Sequence, residues 1–135
     1  IPVRLALGQR DMENETVELA RRDTKSKETV SRDGLADRIE NLLNEIQENL
    51  YNRAMAFKNT STHIANSYEE FKTILEEKGG FVMAHWDGTS ETEQKIKEET
   101  KATIRCIPLQ NKREEGKCIF TGKPSSQRVV FAKAY

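Results

Sequence analysis

Apolar and polar positions alternate over residues 2–9, with Val3, Leu5 and Leu7 on one face and Arg4 and Ala6 on the other. That period of two predicts a strand. A polar stretch at 11–15, where Asn14 can turn the chain, separates it from residues 16–22 (Thr-Val-Glu-Leu-Ala-Arg-Arg), which alternate again. The pair predicts a hairpin, followed by a polar loop and a short returning strand near Val30. The period then changes. Leu35, Ile39, Leu42, Leu43, Ile46, Leu50, Ala54 and Phe57 recur at steps of mostly three and four, the stripe of a long amphipathic helix with Asp33 placed to cap it.

Residues 59–66 interrupt the stripe. Ser67 with Glu70 has capping-box spacing, and Tyr68, Phe71, Ile74 and Leu75 make a second helical stripe that Gly79-Gly80 ends. Residues 81–86 (Phe-Val-Met-Ala-His-Trp) form an apolar run of strand length, and Asp87-Gly88 turns the chain. Ser90 with Glu93 repeats the capping spacing and opens a charged helix reaching Thr100. Residues 102–107 predict a strand stopped by Pro108; 117–120 follow a charged loop, and Arg128–Tyr135 predict a closing strand. The elements divide near residue 66. Residues 1–66 hold a hairpin and a long helix, too little to bury both of their faces, and 67–135 hold an alternating α+β unit. The fold class expected is α+β, with a mixed or antiparallel sheet in the second part.

Charge adds one refinement. Twenty-two basic residues balance twenty-two acidic ones, but the net is +1 over 1–32, −4 over 33–78, −2 over 79–101 and +5 over 102–135. A nonspecific nucleic-acid binder is basic throughout, whereas this chain can present only a local basic face. No run approaches the ~20 apolar residues that a membrane-spanning helix needs, and no basic segment followed by an apolar core opens the chain. It begins Ile-Pro rather than with Met, so a segment of a longer protein is expected. Two cysteines, Cys106 and Cys118, make no disulfide framework, which favours a reducing, cytoplasmic setting.

Candidate chemistry is sparse. There is no phosphate-binding glycine loop, no Ser/His/Asp order and no HExxH. His63 reads as a surface residue and His85 as a strand histidine with a hydrogen-bond partner. Cys106 and Cys118 read as two small buried side chains; a redox pair would lack the CxxC spacing. The helix carboxylates Asp37, Glu40, Glu45 and Glu48 read as a solvated face. Arg21-Arg22-Asp23-Thr24 with Lys25 and Lys27 differs in kind, because it ends a strand and enters a loop. Arg and Lys donate to phosphate and guanine edges, and Asp accepts from base amino groups. Single-stranded RNA is read this way, and a solvated turn has the same composition.

In order, the chain carries Pro2-Val-Arg-Leu-Ala-Leu-Gly-Gln-Arg-Asp11, Arg21-Arg22-Asp23-Thr24, Phe81-Val-Met-Ala-His-Trp-Asp-Gly88, Lys95-Ile-Lys-Glu-Glu-Thr100 and Ala102-Thr-Ile-Arg-Cys-Ile-Pro108. Gly116-Lys-Cys-Ile119, Gly122-Lys-Pro124 and Val130-Phe-Ala-Lys-Ala-Tyr135 complete the series. Together these resemble the C-terminal portion of prolyl-tRNA synthetases of the archaeal/eukaryotic-like architecture, over nearly the whole chain.

The resemblance implies a class II synthetase, usually a homodimer, that activates proline with ATP and transfers it to tRNA. It makes 1–66 the end of an anticodon-binding domain with its long helix, and 67–135 the appended C-terminal domain. The catalytic domain, with its ATP site, lies upstream, so no catalytic residue is expected here. Arg21, Arg22, Asp23, Lys25 and Lys27 become candidates for tRNA contact. The terminal Tyr135 either reaches toward the synthetase active site or closes its own domain. Many relatives hold zinc with four cysteines, at positions that align here with Asp87, Thr92, Cys118 and Thr121. Only one thiol remains, so no zinc is expected. Packing by Phe81, Trp86, Ile96, Ile104, Phe120 and Phe131 would replace it. The other reading, from a different class, is a noncatalytic RNA- or protein-binding module of the same fold.

Overall fold

The computed structural model describes residues 1–133. Its packing divides into two units, Ile1–Ala56 and Phe57–Tyr135. This break falls earlier than the sequence division near residue 66. Its cause is a strand the sequence reading did not contain: residues 62–64 pair into the second unit's sheet.

The first unit contains β1 (Val3–Ala6), α1 (Gln9–Glu13), β2 (Thr16–Arg21), β3 (Lys27–Ser31) and most of α2 (Leu35–Thr60). The three strands form an antiparallel meander in chain order, with Leu5 opposite Leu19 and Val17 opposite Val30. Inward side chains of β2 alternate as period two requires, and Val17 and Leu19 are fully buried. They pack with Val30 and with Leu42 and Ile46, one turn apart on α2.

Within this unit's core the stripe is used from Leu35 to Ile46. In the same unit Leu43 and Leu50 stay over 40% exposed, and so does Leu7, just past β1. A short helix, α1, begins at Gln9, at the end of the predicted strand, and runs into the polar stretch expected as a turn. Gly8 N–H donates to Asp11 Oδ2 at 2.8 Å, closing the helix start without a hydroxyl cap. α2 begins on the Gly34 carbonyl, which accepts from Arg38 N–H at 3.1 Å, so Asp33 is not its cap.

The second unit contains β4 (Thr62–Ile64), α3 (Tyr68–Glu77), β5 (Phe81–His85), α4 (Ser90–Thr100), β6 (Ala102–Cys106), β7 (Gly116–Lys117), β8 (Pro124–Ser125) and β9 (Arg128–Lys133). The main sheet has the order β4-β5-β9-β6. β4 is parallel to β5 and the other pairs are antiparallel, giving a mixed sheet; β7 and β8 form a separate ribbon. Phe71, Ile74 and Leu75 of α3 and Ile96 of α4 pack on Val82, Ala84, Val129 and Phe131. The Phe71 and Phe131 rings meet edge to face, centroids 5.2 Å apart.

Of the expected packing residues, Ile96 and Phe131 are fully buried and Trp86, Ile104 and Phe120 pack half-buried against them. Phe81 lies on the opposite face of β5 and is 40% exposed.

The caps are close to expectation. Ser67 Oγ accepts from Glu70 N–H, and Glu70 returns the bond to Asn66 N–H rather than to Ser67. α4 is capped one residue early, by Thr89, whose hydroxyl accepts from Thr92 N–H. Gly80 is required. Its φ is +77°, and a Cβ there would overlap the Ser61 carbonyl. Cys106 is exposed beside a bulge in β6, so only Cys118 matches the expectation of a buried thiol.

Candidate functional site

The end of the β2–β3 hairpin gathers the residues singled out in the sequence. Arg21 N–H donates to the Ser26 carbonyl at 2.9 Å, closing the turn, and Arg22 N–H extends the ladder to Pro2. Lys25 adopts a left-handed backbone, φ +59°, at the turn's tip. The Thr24 and Ser26 hydroxyls are 2.7 Å apart.

Within this turn the charged side chains separate into two groups. The Arg21 guanidinium grips Asp23 with Nε at 3.1 Å and Nη2 at 2.9 Å, and reaches Glu45 of α2 with Nη1 at 3.1 Å. Asn49 Nδ2 donates to the same carboxylate at 2.7 Å, and Arg53 Nη1 reaches the Asp23 carbonyl. Hydrogen bonds from Arg21, then from Asn49, hold the Asp23 carboxyl well below the usual carboxylate range, and Asp23 raises Arg21 in turn.

The Asp23 side chain is 1% exposed and its two oxygens serve Arg21 and Asn49. Those bonds engage the Asp23 carboxylate within the protein rather than leaving it free. They position the turn. Arg22 and Lys25 point their charge outward, and Lys27 is exposed beside Glu18 at 3.2 Å. An open cleft next to the turn is lined by Arg22, Lys25 and Arg53 together with Pro2, Ile46 and Leu50.

Asn49 and Arg53 were not singled out in the sequence. Their signal was there: Glu45, Asn49 and Arg53 recur every fourth residue along one edge of the α2 stripe, a polar row that one loop can meet. Tyr135 lies outside the described residues.

In the second unit, His85 Nδ1 is 3.0 Å from Ser125 Oγ, which itself donates to the Gln127 carbonyl. The other ring nitrogen, Nε2, faces Glu114 at 3.7 Å. Arg128 holds Glu114 with two bonds of 3.0 Å and lowers its carboxyl below the ordinary value. This anchors the 110–116 loop; the ring is buried and has no open side for a substrate.

The positions aligned with a metal site also converge. Asp87 Oδ2 accepts from Thr92 Oγ1 and from Thr121 Oγ1, both at 2.9 Å, and Cys118 is buried in the same turn as Thr121. One thiol, one carboxylate that already accepts these bonds, and two neutral hydroxyls are not a donor set for zinc. Among the described residues no three His, Cys, Asp or Glu side chains group as metal ligands.

Comparison with known proteins places these units. Residues 68–135, half of the chain, match the family described as prolyl-tRNA synthetase, C-terminal, and residues 1–42 match the anticodon binding domain. The proline–tRNA ligase of Cytophaga hutchinsonii is 64% identical over 135 residues, all of this chain and 28% of that protein. Those of Porphyromonas gingivalis W83 and Flavobacterium johnsoniae are 58% and 56% identical, again over the whole chain and 27% of their lengths. The chain thus spans little more than a quarter of the curated relatives it matches. With residues 68–135 matched by that family and the whole chain aligned to these relatives, the chain belongs to the prolyl-tRNA synthetase C-terminal family.

Proposed function

We propose that this chain serves a proline–tRNA ligase as the part that engages the anticodon region of tRNA(Pro) and supports the catalytic body. The observation that carries the reading is the match of the entire chain, at up to 64% identity, to the same part of proline–tRNA ligases. The chemistry of the whole enzyme is two-step. The proline carboxylate attacks the α-phosphate of ATP, forming prolyl-adenylate and releasing pyrophosphate, and the tRNA terminal hydroxyl then attacks the prolyl carbonyl, releasing AMP. The catalytic residues of both steps belong, in this reading, to the upstream catalytic domain. The parent is a cytoplasmic homodimer in this reading.

What the chain contributes is binding energy and register. Arg22 and Lys25 sit on a turn whose shape is held by the Arg21–Asp23–Asn49 contacts, so both cations are presented at little entropic cost. Phosphate contacts of this kind position an RNA, and base contacts specify it.

Two assays of the full-length parent test the reading. Proline-dependent ATP–pyrophosphate exchange is expected, with no comparable exchange for alanine or cysteine. Arg22→Ala is expected to raise KM for tRNA(Pro) in aminoacylation while exchange stays unchanged. Equal loss in both assays counts against an anticodon role for the turn. Absence of exchange from well-folded parent favours the noncatalytic binding module. Deleting Tyr135 from the parent slows proline activation if its terminal carboxylate reaches the active site, and leaves it unchanged if Tyr135 closes its own domain.

A further inference from the structure

Three segments of the second unit meet at a single carboxylate. Asp87 follows β5, Thr89 and Thr92 lie at the start of α4, and Thr121 belongs to the turn between β7 and β8. Asp87 Oδ1 accepts from Thr89 N–H at 3.1 Å and Thr89 Oγ1 at 2.9 Å. Oδ2 accepts from the hydroxyls of Thr92 and Thr121 at 2.9 Å each. The 118–122 turn is itself closed by Gly122 N–H on the Cys118 carbonyl at 2.9 Å, with Gly122 at φ +72°. Thr89 and Thr92 follow Asp87 closely in the chain, so Thr121 is the donor that brings in a distant segment, beside the backbone bond from Ile119 N–H to the His85 carbonyl at 3.1 Å.

We infer that Asp87 is a metal-free cross-link, doing with one anion and four donors what a zinc ion does with four thiolates. Both arrangements draw separate segments to one centre, and both place the negative charge where each lone pair has a partner. They differ in what they depend on. Thiolates must be deprotonated and kept reduced, and a metal must be supplied. Threonine hydroxyls need none of these, so this unit folds independently of zinc supply and of oxidants.

The three non-thiol positions also work only as a set. Asp87 without the hydroxyls is an anion short of donors, and without Asp87 the Thr92 hydroxyl is a buried donor that has lost its acceptor while the exposed Thr121 no longer ties its turn to α4. The inference does not rest on the tRNA reading, because it concerns how the unit holds together.

The test uses the full 135-residue chain and reads metal content and thermal unfolding. The purified protein is expected to carry substoichiometric zinc and to melt at the same temperature with and without a strong chelator. Thr121→Val, which keeps shape and removes one donor, is expected to lower the midpoint by about 4–8 °C, and Thr121→Ser to restore it. Asp87→Ala lowers it further.

The converse experiment changes Asp87, Thr92 and Thr121 together to cysteine. With Cys118 this variant is expected to bind one cobalt(II) with the visible bands of a tetrahedral thiolate site, and to gain stability only with metal. Stoichiometric zinc in the unaltered chain, lost together with stability on chelation, overturns the inference. So does a Thr121→Val midpoint equal to that of the unaltered chain, or a triple variant that takes up no cobalt.

Discussion

Among the described residues, the core cluster of the first unit joins five buried apolar side chains of β2, β3 and one stretch of helix, whereas that of the second joins ten between a four-stranded sheet and two helices. The difference shows in how each fixes its loops. In the first unit the hairpin end is held by a directed polar set, with Arg21, Asp23 and Asn49 tying a turn to α2. In the second the strands and helices are set by hydrophobic packing, and polar sets at Asp87 and at Arg128 fasten only the connecting loops. A thin core leaves orientation to hydrogen bonds, because hydrophobic attraction is non-directional and scales with area.

The contrast can be broken most directly in the larger core. Phe131→Ala removes a fully buried ring that meets Phe71 edge to face. It is expected to cost about 3–5 kcal/mol in denaturant unfolding of the second unit. Hydrogen exchange of β2 and β3 should be unchanged, and loss of protection there would mean that the units do not unfold independently.

A smaller effect is expected at Gly116, where a Cβ would overlap the His85 ring. Gly116→Ala should cost about 1–3 kcal/mol by displacing the ring or the loop. The chemical shifts of His85 and Ser125 report which of the two moves.

Asp23 sharpens the comparison from the other side. Its folded pKa is depressed, so its stabilisation is complete above the unfolded value of about 3.9 and is lost as the pH falls further. Urea unfolding of the first unit is therefore expected to weaken as pH drops below that value. Asp23→Asn should weaken it at neutral pH and flatten the acid dependence. An unchanged slope assigns the acid sensitivity elsewhere.

The smallest effect is expected at the cysteines. Cys106 is exposed and should react with a thiol reagent in the folded chain, while buried Cys118 should react only on unfolding. Cys106→Ser should change stability by less than about 0.5 kcal/mol.

Residue periodicity alone carried the α2 stripe, the two strands of the hairpin, the Ser67 cap and the Gly79-Gly80 stop, since each depends on local spacing. It did not carry β4. Three residues, Thr62–Ile64, are too few to show a period, and they become a strand because β5 offers a parallel edge. α1 escaped for a related reason, its start being closed by Asp11 on a glycine rather than by a hydroxyl.

At the candidate site, the sequence placed five charged residues on one turn and could not sort them. Arg21 and Asp23 look as available as Arg22 and Lys25 until α2 brings Asn49 alongside. Likewise Asp87, Thr92 and Thr121 are three unremarkable polar residues in sequence, and only the meeting of β5, α4 and the 118–122 turn makes them one cluster. Chain-local chemistry determined which segments form elements and which residues carry charge. Tertiary structure decided which of those charges are spent inside the protein, because a hydrogen bond depends on angstrom-scale distance between segments far apart in the chain.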